Sequence, residues 1–219
     1  SRWLWPQLVT QAPAATELPT YGPVADFQLT DQDGRPFGSA DLKGKVWIAD
    51  FVFTRCSGPC PVLTNNLAGL IDSLGAGFPA HYVSFTVDPE YDTPAVFKEY
   101  GQGFHADFSR WHFLSGPRPS ISDLSVNSFH MAMGDPEITQ LARPAADARH
   151  DGAAEGRVAD MDSANAAPED PAEALNIPHS IRLVLVDRHG QIRGYYDGTD
   201  LEAVARLAQE VRQIVKERA

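Results

Sequence analysis

The sequence predicts an α/β fold in which helices flank a central mixed sheet. Three observations carry this. Two apolar runs of strand length, Val46–Phe53 and His81–Val87, each lead into a segment with helical periodicity. The chain closes with a second pair of strand-like runs and a strongly amphipathic helix. Both of its cysteines, Cys56 and Cys60, fall at the first strand-to-helix turn.

In chain order, residues 6–22 are rich in Pro, Ala and Thr and read as an extended lead-in. Val24–Leu29 and Pro36–Phe37 flank Asp33-Gly34, a hairpin signal. Asp41–Gly44 turns the chain into a strand at 45–53. Pro61 opens a helix over 61–74, carried by Val62, Leu63, Leu67, Leu70, Ile71 and Leu74. The second central strand ends in Asp88-Pro-Glu-Tyr-Asp-Thr93-Pro94, where Asp92 or Thr93 caps a helix running to about Tyr100. Trp111–Leu114 is a short strand and 119–127 a helix. Ile181–Val186 and Gln191–Tyr196 form a hairpin around Asp187–Gly190, in which Tyr195 and Tyr196 pack. The last helix, 200–217, places Leu201, Val204, Leu207, Ala208, Val211 and Val215 on one face.

At 219 residues the chain supports one good core plus appendages. The expected organisation is an N-terminal arm or membrane-anchor stub at 1–21, followed by one domain at 22–219. An acidic insertion interrupts that domain at about 135–173, with ten acids against three bases. Its composition is that of a solvated segment with few large apolar residues. The net charge of −11 argues against nucleic acid as a partner. No apolar run reaches the roughly 20 residues that span a bilayer.

A β-α-β-α order with a dithiol at the first strand-to-helix turn is the thioredoxin-like arrangement. The spacing here is three intervening residues, Ser57-Gly-Pro59, where the usual redox dithiol has two. A helix N-terminus favours thiolate over thiol, so both cysteines are expected to be activated. Such a pair forms a disulfide, binds a soft metal, or alternates between the two. Thiolates suit copper(I), and imidazole suits either copper state. Of seven histidines, His179 stands out because it precedes the strand at 181–186, in the loop that approaches the dithiol turn in this architecture. His130-Met131-Ala-Met133 also offers imidazole and thioethers, but reads as core and loop.

Three segments together resemble the Sco/SenC family. They are Phe51-Val-Phe-Thr-Arg-Cys56-Ser-Gly-Pro-Cys60-Pro61, Val87-Asp88-Pro89-Glu90-Tyr-Asp92-Thr93-Pro94, and His179-Ser180 eight residues ahead of Asp187. The resemblance covers about 22–130 and 177–216. It implies a membrane-anchored, thioredoxin-like copper protein on the outer face of the energy-transducing membrane, in bacteria the periplasmic face. There it would act as a metallochaperone for the binuclear copper site in subunit II of cytochrome c oxidase. Carried onto this chain, it implies one copper, Cu+ or Cu2+, on Cys56, Cys60 and His179. Asp88 and Asp92 read as turn and cap residues, since carboxylates suit harder metals, with Asp88 a further candidate for orienting or tuning the dithiol loop. Another copper chaperone or a thioredoxin-like reductant is the further partner implied. The alternative is a thiol-disulfide oxidoreductase that keeps the oxidase cysteines reduced, with Cys56 and Cys60 as its redox dithiol. The chain departs from the family in its insertion and in Pro178, where many relatives carry an acid.

Overall fold

The structure is a computed structural model, and it describes residues 18–131 and 180–217. The acidic segment at 135–173, Met133, His179 and residues 1–17 lie outside the described residues.

The described elements are β1 (Gly22–Pro23), β2 (Gln28–Thr30), β3 (Pro36–Gly38), β4 (Val46–Val52), α1 (Pro59–Leu74), β5 (Ala80–Thr86), α2 (Pro94–Gly103), β6 (Trp111–Leu114), α3 (Arg118–Asp123), β7 (Arg182–Val186), β8 (Gln191–Asp197) and α4 (Leu201–Lys216). Six strands form one sheet in the order β1-β8-β7-β4-β5-β6. β4, β5 and β6 run parallel, while β7 and β8 return antiparallel. The sheet is therefore mixed, as expected, with β4 and β5 at its buried centre.

Each of the seven β4 residues is buried. That requires cover on both faces, which accounts for an apolar run without alternation. One face carries Trp47 and Phe51, packed with Phe27, Phe85 and Phe129. On the other face, Phe113 of β6 packs against Phe97 and Tyr100 of α2. The β2–β3 hairpin pairs Leu29 with Phe37 across Gly34, whose φ of 76° suits a residue without Cβ.

The helix that carries Cys60 is opened by Pro59, not Pro61, so α1 begins two residues earlier than periodicity indicates. Val62, read among the apolar positions of this helix, is 49% exposed. Thr93 caps α2 by accepting the Val96 amide at 3.4 Å, which frees Asp92 for another role. The segment expected as one helix at 119–127 is a short α3 followed by a single π-helical turn, Leu124–Ser128. That turn brings Phe129 fully into the aromatic cluster. β1, at the end of the stretch expected to be an extended lead-in, pairs with β8. On α4 the buried face includes Ala203 and Ile214, while Leu201 is 69% exposed. In the hairpin Tyr196 is buried and donates to Glu210, and Tyr195 packs edge-on against Tyr21.

Candidate metal and redox centre

Thr54–Gly58 connects the end of β4 to α1, at the edge where the parallel strands finish. Sites collect at this edge because the parallel strands and the helix N-terminus converge there. Cys56 and Cys60 are both thiols, 7% and 1% exposed, and their side chains are hydrogen-bonded to each other.

Burial reverses one expectation from the sequence. Cys60 lies inside the first turn of α1, where the helix dipole should favour thiolate. Burial instead pushes its pKa up. A hydrogen bond from the Phe53 backbone opposes the rise, while Cys56 and Asp50 add to it. For a sulfur this deeply enclosed, desolvation outweighs the dipole.

Two carboxylates of the 87–94 segment brace the dithiol loop. Asp88 is 4% exposed, and its Oδ2 accepts Arg55 Nη2 at 2.6 Å and Nε at 3.2 Å. Arg118 Nη2 stands 3.6 Å from the other oxygen, and the Arg55 guanidinium covers the Tyr91 ring at 4.2 Å. Asp92 is fully buried and accepts the Thr54 amide at 3.2 Å and the hydroxyls of Thr54 and Thr86 at 2.5 Å each. Burial raises the Asp92 pKa, and the Thr54 and Thr86 hydrogen bonds oppose that rise. Asp88 and Asp92 therefore hold the two residues that precede Cys56. Neither presents a spare carboxylate to a metal in the manner of a ligand. Asp88 reaches the loop through Arg55, the residue before Cys56 in the chain.

Sequence reasoning missed Asp50. It is fully buried on β4, accepts the Ser84 hydroxyl at 2.6 Å, and leaves Oδ2 unpartnered among the described residues. Burial pushes its pKa up to about 7. Its charge is felt by Cys60 and by Tyr100, whose hydroxyl meets Thr64 at 2.8 Å. The signal was legible: an acid inside a run otherwise read as buried strand. Arg55, Thr54 and Arg118 were also missed, because their partners lie 28 to 38 positions away.

An open depression of about 380 Å³ flanks the loop, lined by Thr54, Arg55, Tyr91 and Tyr100 among others. A larger cavity of about 560 Å³ lies beside α1, α2 and β6, and none of its lining residues belongs to the dithiol loop. Among the described residues, no third His, Cys, Asp or Glu joins the two thiols in a metal-binding group. His130 and Met131 are described, with Met131 buried in the core and its amide bonded to Ser125. Met131 thus lies in the core, while His130 is exposed with a φ of 52°.

The family model of SCO1/SenC matches residues 16–151. The chain belongs to the SCO1/SenC family. The match ends before His179. Across 116 residues this SCO1/SenC chain is 36% identical to the SCO1 protein homolog of Bacillus subtilis, covering 52% of this chain and 60% of that one. It is 33% identical over 93 residues to a putative copper-binding protein of Stutzerimonas stutzeri, covering 42% of this chain and 46% of that one. Alignments with the first curated relatives span 41–60% of those relatives' own length. The SCO1/SenC family lipoprotein of Bacillus anthracis superposes with a TM-score of 0.68 at 28% identity, covering 89% of this chain and 96% of that one. The copper-bound ScoI of Bradyrhizobium japonicum superposes with a TM-score of 0.60, covering 88% and 99%. At 22% identity it shows a likeness of fold alone. Among the described residues, no helix is long and apolar enough to cross a membrane.

Proposed function

We infer that this chain is a copper-binding assembly factor for cytochrome c oxidase. It would hold one copper on Cys56, Cys60 and His179 and deliver it to the binuclear copper site of subunit II. The observation that carries this reading is the buried pair of contacting thiols at the start of α1, on a loop held by Asp88 and Asp92. Two soft donors suit copper(I), and both nearby carboxylates already serve Arg55 and Thr54. The third donor of this reading, His179, lies outside the described residues.

The path of the chain favours His179 for that position. The described backbone resumes at Ser180, and the Gly198 amide donates to Ile181 O at 2.8 Å. Gly198 in turn accepts Asn66 Nδ2 at 2.9 Å, and a Cβ on Gly198 would lie 2.7 Å from Leu63 Cγ. Leu63 is one residue short of a full turn beyond Cys60. His179 is two residues from Ile181, hence within roughly 7 Å of it by backbone length. The name of the Stutzerimonas stutzeri relative, a copper-binding protein, supports copper as the metal. The reading places the chain on the outer face of the energy-transducing membrane, receiving copper from another chaperone. The domain keeps the bounds 22–219 with an insertion at about 135–173, preceded by an arm or anchor stub.

A second reading rests on the thiol contact itself. Cys56, the more accessible sulfur, would attack a partner disulfide and expel one partner thiolate. Cys60 would then attack Cys56 in the mixed disulfide, releasing the partner as a dithiol and leaving a Cys56–Cys60 disulfide. Two electrons pass from this chain to the partner. That reading needs a thioredoxin-like reductant to regenerate the thiols, and it does not need His179.

The test is a copper titration of fully reduced protein, alongside Cys56→Ser and His179→Ala. The copper reading expects one retained equivalent, lost in Cys56→Ser and spectrally altered or weakened in His179→Ala. Failure to retain copper, with the dithiol still reducing a partner disulfide, assigns the chain to the second reading.

A further inference from the structure

We propose that the cavity between α1 and the α2–β6 connection binds a small neutral aromatic molecule through an acceptor oxygen such as a carbonyl. The cavity measures about 560 Å³. Small-molecule sites are clefts of roughly 300–1,000 Å³ with apolar and aromatic walls and a few placed polar groups. Tyr82 of β5 and Trp111 of β6 both line it, and they are 0% and 2% exposed. The two are register partners on neighbouring strands, with ring centroids 6.5 Å apart at 62°. The Trp111 indole N–H donates to Ser84 Oγ at 3.0 Å, which leaves its ring as an apolar wall. Phe104 adds a third ring and is itself packed on Tyr100 at 5.0 Å. Gly69 and Gly103 also line the space, and a Cβ added at either would meet no atom within 4 Å.

The Tyr82 hydroxyl supplies the polar contact. It is buried with no hydrogen-bond partner among the described residues. Such a group is uncommon, because burying a hydroxyl without a partner is costly. Burial pushes its pKa up to about 12, so at neutral pH the phenol keeps its proton and donates. The charge that acts on this hydroxyl is Arg110, which lines the same cavity. Arg110 is fixed in place, with Nε donating to Asp107 Oδ2 at 3.2 Å and Nη1 to Phe78 O at 3.2 Å.

The charges around the cavity select a neutral ligand. The Arg110 guanidinium disfavours a cation beside the Tyr82 hydroxyl. Asp72 and Asp107, both exposed lining residues, disfavour an anion. A hydrocarbon would leave the phenol unpaired. An aromatic body against Trp111 and Phe104, with one acceptor oxygen at Tyr82, matches the walls and the donor together. Neither cysteine lines this cavity, although Gly103 and Phe104 also line the depression beside the dithiol loop. The site needs no metal and leaves the single copper equivalent of the proposed function unchanged.

The experiment titrates acetophenone into the full chain, reduced, copper-free and labelled with 15N. α-Methylstyrene, which has the same shape with a methylene in place of the oxygen, and benzoate, which carries a charge, are titrated in parallel. The Trp111 indole signal and the Gly69 and Gly103 amide signals should shift along one saturating curve with acetophenone. α-Methylstyrene and benzoate should each bind more weakly by roughly fivefold or more. Tyr82→Phe should weaken acetophenone by about fivefold, the effect of one neutral hydrogen bond, and leave α-methylstyrene unchanged. A merely structural role for Tyr82 would move both ligands alike. Tyr82→Phe removes a hydroxyl that has no partner among the described residues, so the variant should unfold in urea no earlier than the parent. No saturable shift at these signals, equal binding of α-methylstyrene, or equal binding of acetophenone by Tyr82→Phe would each overturn the proposal and leave water as the partner of the phenol. The titrations of the parent chain need no substitution, so they decide the matter even if the variant misfolds. No copper is present and neither cysteine takes part, so failure here is distinct from failure of the copper reading.

Discussion

Replacing Asp50 by Asn removes one carboxylate from the centre of the sheet while leaving an acceptor for the Ser84 hydroxyl. Asp50 is fully buried, and its pKa rises from 3.8 to about 7 because burial disfavours the charged form. A proton is therefore bound more tightly in the folded chain than in the unfolded one. The stability this contributes is complete below pH 3.8 and is lost as pH rises through 7. At 1.36 kcal/mol per pKa unit, the loss amounts to roughly 4 kcal/mol. Asn does not titrate, so the variant lacks this loss. The amide also brings an unpaired N–H, which costs about 1–3 kcal/mol at every pH. That cost cancels when one asks how the gap between the two proteins changes with pH. Urea denaturation of reduced, copper-free protein at pH 4.5, 6, 7 and 8.5 measures the gap. The Asp50→Asn variant should gain on the wild type by several kcal/mol between the first and last of these. The same change should lower the Cys60 pKa, since the Asp50 charge is one of the causes that raise it. Parallel stability curves for the two proteins would refute the reasoning, because they would mean that Asp50 reaches solvent or a partner that lets it ionise normally.

Arg55→Ala strips Asp88 of its close partner and leaves Arg118 at 3.6 Å. It should cost about 1–3 kcal/mol in urea denaturation, discounted because the Arg55 side chain is 37% exposed, and should speed copper loss from the dithiol. Thr54→Val deletes a hydroxyl donated to the fully buried Asp92. A loss of about 1–3 kcal/mol is expected by the same assay, and hydrogen exchange at the Thr54 amide should quicken. Gly198→Val drives a side chain into Leu63 at 2.7 Å and towards Ile181 O at 3.1 Å. Thermal unfolding should report a cost of about 1–3 kcal/mol, and copper affinity should drop because the segment after His179 is pushed away from α1. An unchanged affinity in a folded Gly198→Val chain would separate His179 from the site.

The order of elements, the mixed sheet and the position of the dithiol were legible in the residues themselves. Hydrophobic periodicity is a local signal, and proline and glycine mark boundaries locally, so strands such as Trp111–Leu114 were read with the bounds the structure has. The Cys56–Cys60 turn was legible for the same reason: strand run, dithiol and helix opener lie within sixteen consecutive residues. What required the fold was every interaction between distant positions. The choice of Thr93 over Asp92 as helix cap depends on Asp92 meeting Thr54, 38 residues away. The protonation preference of Cys60 was misjudged because the helix dipole is visible in sequence, whereas the burial that overrides it comes from packing. Asp50 beside the thiols and the Tyr82–Trp111 pair likewise exist only once strands are laid side by side. Sequence periodicity specifies which face of an element is apolar. Desolvation and ion pairing depend on which other elements cover that face, and tertiary structure alone decides that.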